Sequence, residues 1–525
     1  MNQLVKWKYF PHFLLVVITS AVYSYSMPFP LLEGWDDHIY VTCNVEKLAP
    51  CAANLIYWLS HPCEGCYLPL TMFSYMFDHA VWGLNGFGYH LQNVFWHILA
   101  VLAVFSCMKY FRISLWLAFG LSLAFSVHPQ RVESVVWISE RKDVMCTALY
   151  FWSIFFWFTE KNKRFTIISF ILFILALFSK SMAVSLPFVL LACEFYGQKK
   201  FDMKSWSRKL WPFFLILLVF IPITIFSQDI NKGGISIGRQ CTVLIHNIAW
   251  YVGANFIPRD LSPIYPRLVL DTAVIFKIVA IYALILFIGV LFLKRDRRYF
   301  INDIVPLAFC FIVSIGPVAG FLPLGAIDYA DRYSYIPSVF LWIIFGSVAS
   351  YVIGMKLPFF ENHLKFWKIC ALGFTAYYVI YLIIINLIYS NSWKSYDSVL
   401  RTACSYDPPS YMALGALADI ELSEGNFKEA VKTADTIILR RKGLETEKGY
   451  HQIILKAKYT KAFASYNIGN KKESLKIFEE IKPDLNVDSF GSASGYNSML
   501  KMMIDCCNSL GDKEKAGKLK LEIKK

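Results

Sequence analysis

Apolar runs of about membrane-spanning length recur along this chain, and every second connection between them is basic. The runs fall at roughly 10–27, 90–110, 113–128, 144–158, 165–180, 183–196, 210–227, 272–293, 304–322, 335–354 and 367–389, about eleven in all. A span needs ~20 apolar residues, so the shorter runs must extend into polar flanks or cross a thinned bilayer. Basic segments at 6–8, 109–112, 161–164, 199–209, 294–298 and 356–368 share one face of this arrangement, which the positive-inside rule makes cytoplasmic. The other face receives 28–88, 128–143, 228–271, 323–334 and everything after 390, because an odd number of spans leaves the C-terminus outside. With 56% hydrophobic and 17% charged residues, the expected class is all-α. A polytopic membrane domain over 1–389 precedes a soluble helical domain over 390–525. The basic loops account for the net charge of +14, no nucleic-acid motif accompanies it, and no nucleic-acid partner is expected. The N-terminus has the basic start and apolar core of a cleaved signal peptide. That core is long and no A-x-A-like site precedes Asp36, so it reads as a retained span.

After residue 388 the apolar runs stop and Lys/Glu-rich segments begin. Leu417, Ala418, Gly425, Phe427 and Ala430 fit a helix, a tight turn at glycine and a second helix with alanine at the crossing. Ala462, Tyr466, Gly469, Ser474 and Phe478 repeat the pattern, and Gly511 with Ala516 gives a poorer third copy. Small residues let paired helices approach, and each pair buries its remaining apolar face on the next. The pattern is tetratricopeptide-like (TPR-like), with glycines farther apart than the usual ~34-residue period. Such stacks present a concave surface to a peptide or protein segment; a cap that only steadies the membrane domain is the plainer reading. Cys43, Cys51, Cys63 and Cys66 share the first outer loop, where an oxidising compartment permits disulfides. Cys63-x-x-Cys66 lacks the second pair of a zinc site, which leaves a local disulfide or free thiols.

Four polar groupings fall on the outer face. Asp36 and Asp37 open the first outer loop, and carboxylates near a bilayer mark a pathway or a reaction centre. One of them suits the cap of a following helix, which leaves the other for proton transfer. His90, Asn93 and His97 share one helix face, either as helix–helix glue or as a cavity wall. The segment 128–143 carries His128, Arg131, Glu133, Glu140, Arg141, Lys142 and Asp143 among Val132, Val135, Val136, Trp137 and Ile138, an alternation that suits a short amphipathic helix lying in the interface. Outer-side cations run against the charge bias; a lipid phosphate accounts for them, as does internal pairing with the neighbouring acids. Asp331 and Arg332, and Lys180 after the fifth run, add charge on the same side.

The blocks WDDHIYVTCN, GYHLQNVFWH, HPQRVESVVWISERKDV, SKSMAVSLPFVLL, LSPIYP and ADRYSYIP follow in this order and are succeeded by the helical repeats. From about Trp35 to its end the chain resembles the transmembrane-and-TPR O-mannosyltransferase-like proteins, a family with many bacterial members. The resemblance implies a GT-C fold whose active site opens to the lumen or periplasm. It implies polyprenyl- or dolichyl-phosphate sugars as donors, and hydroxyl groups, often Ser/Thr of proteins bound through the repeats, as acceptors. It also implies an acidic catalytic base in the first outer loop, at Asp36 or Asp37, with Asp37 favoured. The expected chemistry is inverting transfer, with Arg131, Arg141, Lys142 and Arg332 on the donor phosphate. His90, Asn93, His128, Glu133, Asp331 and Lys180 are expected to line the site. No metal cofactor is required, and a divalent cation bridging carboxylates and phosphate is compatible with the chemistry. At 67–70 the chain reads Tyr-Leu-Pro-Leu where a Tyr-Arg-Pro pattern is expected, which removes one phosphate or acceptor contact. The membrane would be a bacterial inner membrane with a periplasmic site, or the endoplasmic reticulum with a luminal one. A membrane-anchored TPR scaffold leaves the outer acids and bases unexplained, and a transporter calls for internal repeats and mid-span charges. A lipid-linked glycan polymerase or ligase would use similar donors.

Overall fold

The computed structural model describes residues 9–159, 163–196, 203–227, 237–320, 327–355, 364–439, 450–485 and 493–523, and among these the chain is helical and forms no strand. It divides into two compact units, Met1–Leu261 with Leu270–Ser398, and Ser262–Val269 with Val399–Lys525.

The principal helices of the first unit are α1 (Phe10–Tyr23), α2 (Asp36–Tyr40), α3 (Pro69–Trp82), α4 (Gly86–Tyr110), α5 (Leu115–Val127), α6 (Arg141–Thr159), α7 (Lys163–Ser179), α8 (Leu186–Phe195), α9 (Met203–Ser227), α10 (Ile237–Phe256), α11 (Thr272–Arg295), α12 (Val305–Ile315), α13 (Pro337–Gly354) and α14 (Leu364–Asn391). Among the described residues six segments are long and apolar enough to cross a bilayer: Gly86–Tyr110, Lys209–Ser227, Thr272–Arg295, Arg297–Val318, Pro337–Gly354 and Ile369–Asn391. This is the pattern of a multi-pass membrane protein. Phe10–Ser26, Leu115–Val127, Arg164–Ser179 and Ser181–Phe195 are apolar but shorter. Each expected run thus coincides with a helix among the described residues, the last two positions of the run 304–322 lying outside them, though several are too short to span unaided. The centre of the unit is the packing of α4 on α1, α5 and α6, and of α6 on α7. Gly86 starts α4 because a Cβ there would meet the Phe29 carbonyl oxygen at 2.5 Å.

Two departures from the sequence expectations bear on the site. The segment 228–271, expected as an outer connection, contains the 20-residue helix α10. Its Arg239, Gln240, His246, Asn247 and Asn255 interrupt any apolar run, and it buries Val243, His246, Asn247, Tyr251 and Asn255 instead. The segment 128–143 is not an interfacial helix. Two 3₁₀ turns, Pro129–Arg131 and Ile138–Glu140, flank the five-residue helix Val132–Val136, and every residue from 121 to 150 is buried. Its charges find partners inside the bundle, so it is drawn inward as a plug rather than left at the surface.

Among its described residues the second unit holds three helical hairpins: Tyr411–Ser423 with Phe427–Leu439, Tyr450–Ile468 with Lys471–Ile481, and Ala493–Ser509 with Lys513–Glu522. The turns fall at Gly425, Gly469 and Gly511, all at positive φ, where glycine alone is unstrained. After each, a backbone N–H reaches back into the helix: Asn426 to Glu421 O (2.7 Å), Asn470 to Ser465 O (2.9 Å) and Asp512 to Cys507 O (2.9 Å). This is the six-to-one bond of a Schellman cap. Asn470 and Asp512 then cap the next helix through their side chains. Ala430, Ala462, Phe478 and Ala516 are buried where the helices meet. This is a helical repeat domain.

Candidate active site

Helices that alternate in direction bring opposite ends together. Here the C-terminal ends of α1, α5, α7 and α14 meet the N-terminal ends of α4, α6 and α13. Hydrogen bonds fix the convergence: Tyr23 Oη to Ser126 O (3.2 Å), Asn386 Nδ2 to Val127 O (3.2 Å) and Tyr389 Oη to Asp331 Oδ2 (3.3 Å). The buried plug 128–140 fills the centre of this end, and nearly all the expected site residues come with it.

The paired aspartates at the start of α2 have different environments. Asp37 is 1% exposed. Its Oδ2 accepts the Leu32 N–H (2.9 Å), and its Oδ1 accepts the Ser139 N–H (2.9 Å) and the Ser139 hydroxyl. Burial pushes it up to about 6, against the pull of those hydrogen bonds. Asp37 therefore ties the first outer loop to the plug. Asp36 is half-buried, and among the described residues no hydrogen bond engages its carboxylate. Burial raises it above its ordinary value, while the charges of Lys142 and Arg332 act in the opposite sense.

The cations divide in the same way. Arg131 is fully enclosed and donates to Ser338 Oγ (3.2 Å) and Ser334 Oγ (2.5 Å). Arg141, equally enclosed, pairs with Asp78 (2.5 Å) and donates to Asn93 Oδ1 (2.7 Å), Gln92 and the Tyr89 carbonyl (2.9 Å). With no exposed edge, both arginines work as internal braces. Lys142, Lys180 and Arg332 keep 8%, 13% and 13% of their side chains exposed. All three converge on one carboxylate: Lys142 Nζ and Arg332 Nε lie 3.0 and 3.5 Å from Glu140 Oε1, and Lys180 Nζ lies 3.3 Å from Oε2. Burial alone would raise Glu140; the three cations overcome it and hold the carboxyl well below the usual range. Lys180 also pairs with Asp143 (2.5 Å), and Arg332 with Glu133. Lys142 stands over the Tyr40 ring at 4.8 Å, and Arg332 over the Trp137 ring at 5.7 Å. Trp35, adjacent to Asp36, meets Trp137 edge-on, and Trp137 stacks on Trp393.

The remaining expected residues are scaffolding. His90 Nε2 bonds the Phe29 carbonyl (3.1 Å), and Asn93 Nδ2 donates to the Val135 and Trp137 carbonyls (3.2 Å each). His97 bonds Ser126 O (3.0 Å) and the Tyr335 hydroxyl. The histidine–asparagine stripe is thus glue between α4 and the plug. His128 Nδ1 accepts the Gln130 N–H (3.2 Å), and burial lowers its pKa well below the ordinary value, so it is neutral. Asp331 accepts from Gln130 Nε2 (3.3 Å). Three features were not legible in the sequence: the roles of Ser139 and Asp78 as partners, and the packing of Trp35 and Trp393 on Trp137. Asp78 had a signal, a lone acid inside the apolar stretch of α3. Leu68, where the Tyr-Arg-Pro pattern has arginine, is buried among Tyr40, Trp58 and Tyr75. Among the described residues no three His, Cys, Asp or Glu side chains converge in metal-binding geometry.

Comparison with known proteins adds a partial likeness. Over 85 residues, 16% of the chain, the sequence is 35% identical to Protein O-mannosyl-transferase TMTC1 of Mus musculus. It is 33% identical over 85 residues to Protein O-mannosyl-transferase TMTC1 of Homo sapiens, again 16% of the chain. Over 100 residues, 19% of the chain, it is 32% identical to Protein O-mannosyl-transferase TMTC2 of Homo sapiens. The chain spans about a tenth of the length of these curated relatives, namely 9%, 10% and 12%. No family model matches, and no solved structure matches. Part of this multi-pass helical chain is therefore similar to protein O-mannosyl-transferases.

Proposed function

We propose that the chain is an integral-membrane glycosyltransferase, moving a mannose-like sugar from a polyprenyl- or dolichyl-phosphate carrier to a hydroxyl acceptor, a protein Ser or Thr, on the outer face. The observation that carries this reading is a half-buried carboxylate, Asp36, that feels the charges of Lys142 and Arg332, two of the three part-exposed cations gathered on Glu140. The partial likeness to protein O-mannosyl-transferases supports it.

Asp36 serves as the base. It takes the proton of the acceptor hydroxyl as that oxygen bonds to the anomeric carbon, while the bond from that carbon to the phosphate oxygen breaks on the opposite side. The anomeric centre gains oxocarbenium character, and its configuration inverts. A sugar phosphodiester carries one negative charge and the departing lipid monophosphate up to two. Lys142, Lys180 and Arg332 therefore bind the leaving group more strongly than the donor, which is the differential binding that lowers a barrier. Glu140 keeps the three cations from repelling one another apart. Asp37, held by Leu32 and Ser139, fixes α2 so that Asp36 faces them. Arg131 and Arg141 brace the plug behind. The helical hairpins offer the surface for an acceptor polypeptide.

The test is transfer from a panel of labelled polyprenyl-phosphate monosaccharides to Ser/Thr peptides in purified membranes. The wild type should transfer from at least one donor, and Arg332→Gln should lower kcat for that donor more than it raises KM. A folded wild type that transfers from none would refute the proposal.

A further inference from the structure

Cys63 and Cys66 are joined by a backbone pairing that stands apart from the helical remainder of the described chain. The Cys63 N–H donates to Cys66 O (2.9 Å) and the Cys66 N–H to Cys63 O (2.8 Å). The two residues between them, Glu64 and Gly65, both have positive φ, 46° and 66°. That is the signature of a two-residue type I′ hairpin. A hydrogen-bonded cross-strand pair sets its Cα atoms ~5.5 Å apart, inside the ~4.4–6.8 Å window of a disulfide. Cys63 is buried and Cys66 half-buried. Both pack in the cluster of Tyr40, Trp58 and Leu68 that backs the candidate site. Tyr40 carries Lys142 over its ring, and the charges of Lys142 and Lys180 are felt at Cys66. No third ligand completes a metal site among the described residues.

We propose that Cys63 and Cys66 form a reversible disulfide that staples this hairpin behind Tyr40 and Lys142 on the oxidising face of the membrane. The oxidant is an external disulfide of the glutathione class. The more accessible Cys66 thiolate attacks it and releases one thiolate, leaving a mixed disulfide. The Cys63 thiolate then attacks the Cys66 sulfur and releases the second. Two thiols of the chain lose two protons and two electrons, and the external disulfide is reduced to two thiols. Burial pushes the Cys63 thiol up to about 12 and raises Cys66, with the Lys142 charge acting the other way, so closure quickens as pH rises. The inference does not depend on the transferase reading.

The experiment treats the full-length protein in its membrane with oxidised glutathione, alkylates the remaining thiols and maps peptides without reduction. The expected result is a Cys63–Cys66 linked peptide two hydrogens lighter than the dithiol, reopened by reductant, with Cys43 and Cys51 alkylated. In Cys63→Ser, Cys66 should carry glutathione as a trapped mixed disulfide. Free alkylation of both cysteines after oxidation would overturn the proposal, as would linkage of either to Cys43 or Cys51. An alkylation-resistant but unmodified Cys66 in Cys63→Ser would also overturn it, because burial alone would then explain the protection.

Discussion

Replacing Asp37 by alanine removes the acceptor for two buried backbone N–H groups, those of Leu32 and Ser139, and for the Ser139 hydroxyl. Each orphaned donor costs about 1–3 kcal/mol, so the two amides together cost about 2–6 kcal/mol. A term of opposite sign depends on pH. Burial raises the folded-state pKa of Asp37 to about 6, so the folded protein binds this proton more tightly than the unfolded chain does. The contribution of Asp37 to stability is therefore complete below its unfolded value near 4 and declines as pH rises through 6. The decline amounts to about 3 kcal/mol, at ~1.4 kcal/mol per pKa unit. Alanine loses the hydrogen bonds at every pH but also escapes the ionisation cost at high pH. Thermal unfolding of the purified protein should thus show Asp37→Ala well below wild type at pH 4.5, with the gap narrowing at pH 7.5. Asp36→Ala, which breaks no hydrogen bond among the described residues, should melt near wild type at pH 7.5. Equal melting of Asp37→Ala and wild type at pH 4.5, or a gap that widens with pH, would refute the view of Asp37 as a buried tie.

Other expectations follow from the same contacts. The acidic limb of transfer should lie above the ordinary carboxylate range, because the base must be ionised and burial raises Asp36; a pH–rate profile of kcat/KM checks this. Arg141→Ala leaves Asp78 buried without its partner and should lower stability by about 3–5 kcal/mol, whereas Arg141→Ala with Asp78→Ala should recover part of the melting temperature. Gly86→Ala sets a methyl group against the Phe29 carbonyl and should cost about 1–3 kcal/mol, read as a lower melting temperature.

Much of the architecture could be read because membrane helices announce themselves by composition: each expected apolar run coincides with a helix among the described residues. The exception, α10, escaped because its buried face carries His246, Asn247 and Asn255, which any hydropathy reading scores as loop. The glycines at 425, 469 and 511 could be read as turns, since a left-handed cap leaves few residue choices. At the candidate site, residue types singled out side chains that the fold brings together, but not which member of each pair stays open. Asp36 and Asp37 are chemically identical in a sequence; only the positions of Leu32 and Ser139 distinguish them. Likewise Arg131 and Arg332 differ by what encloses them, and that depends on contacts with α13 and the plug far apart along the chain. The alternation in 128–143 pointed to an interfacial helix because pattern records amphipathicity and not whether the polar face meets water or other side chains.

The most direct measurement is single-turnover transfer from pre-bound polyprenyl-phosphate mannose to a Ser/Thr peptide, comparing wild type with Asp36→Asn at matched donor occupancy. With Asp36 as the base, the variant should hold the donor as wild type does and transfer at least ~100-fold more slowly. Transfer at the wild-type rate by Asp36→Asn would contradict the account.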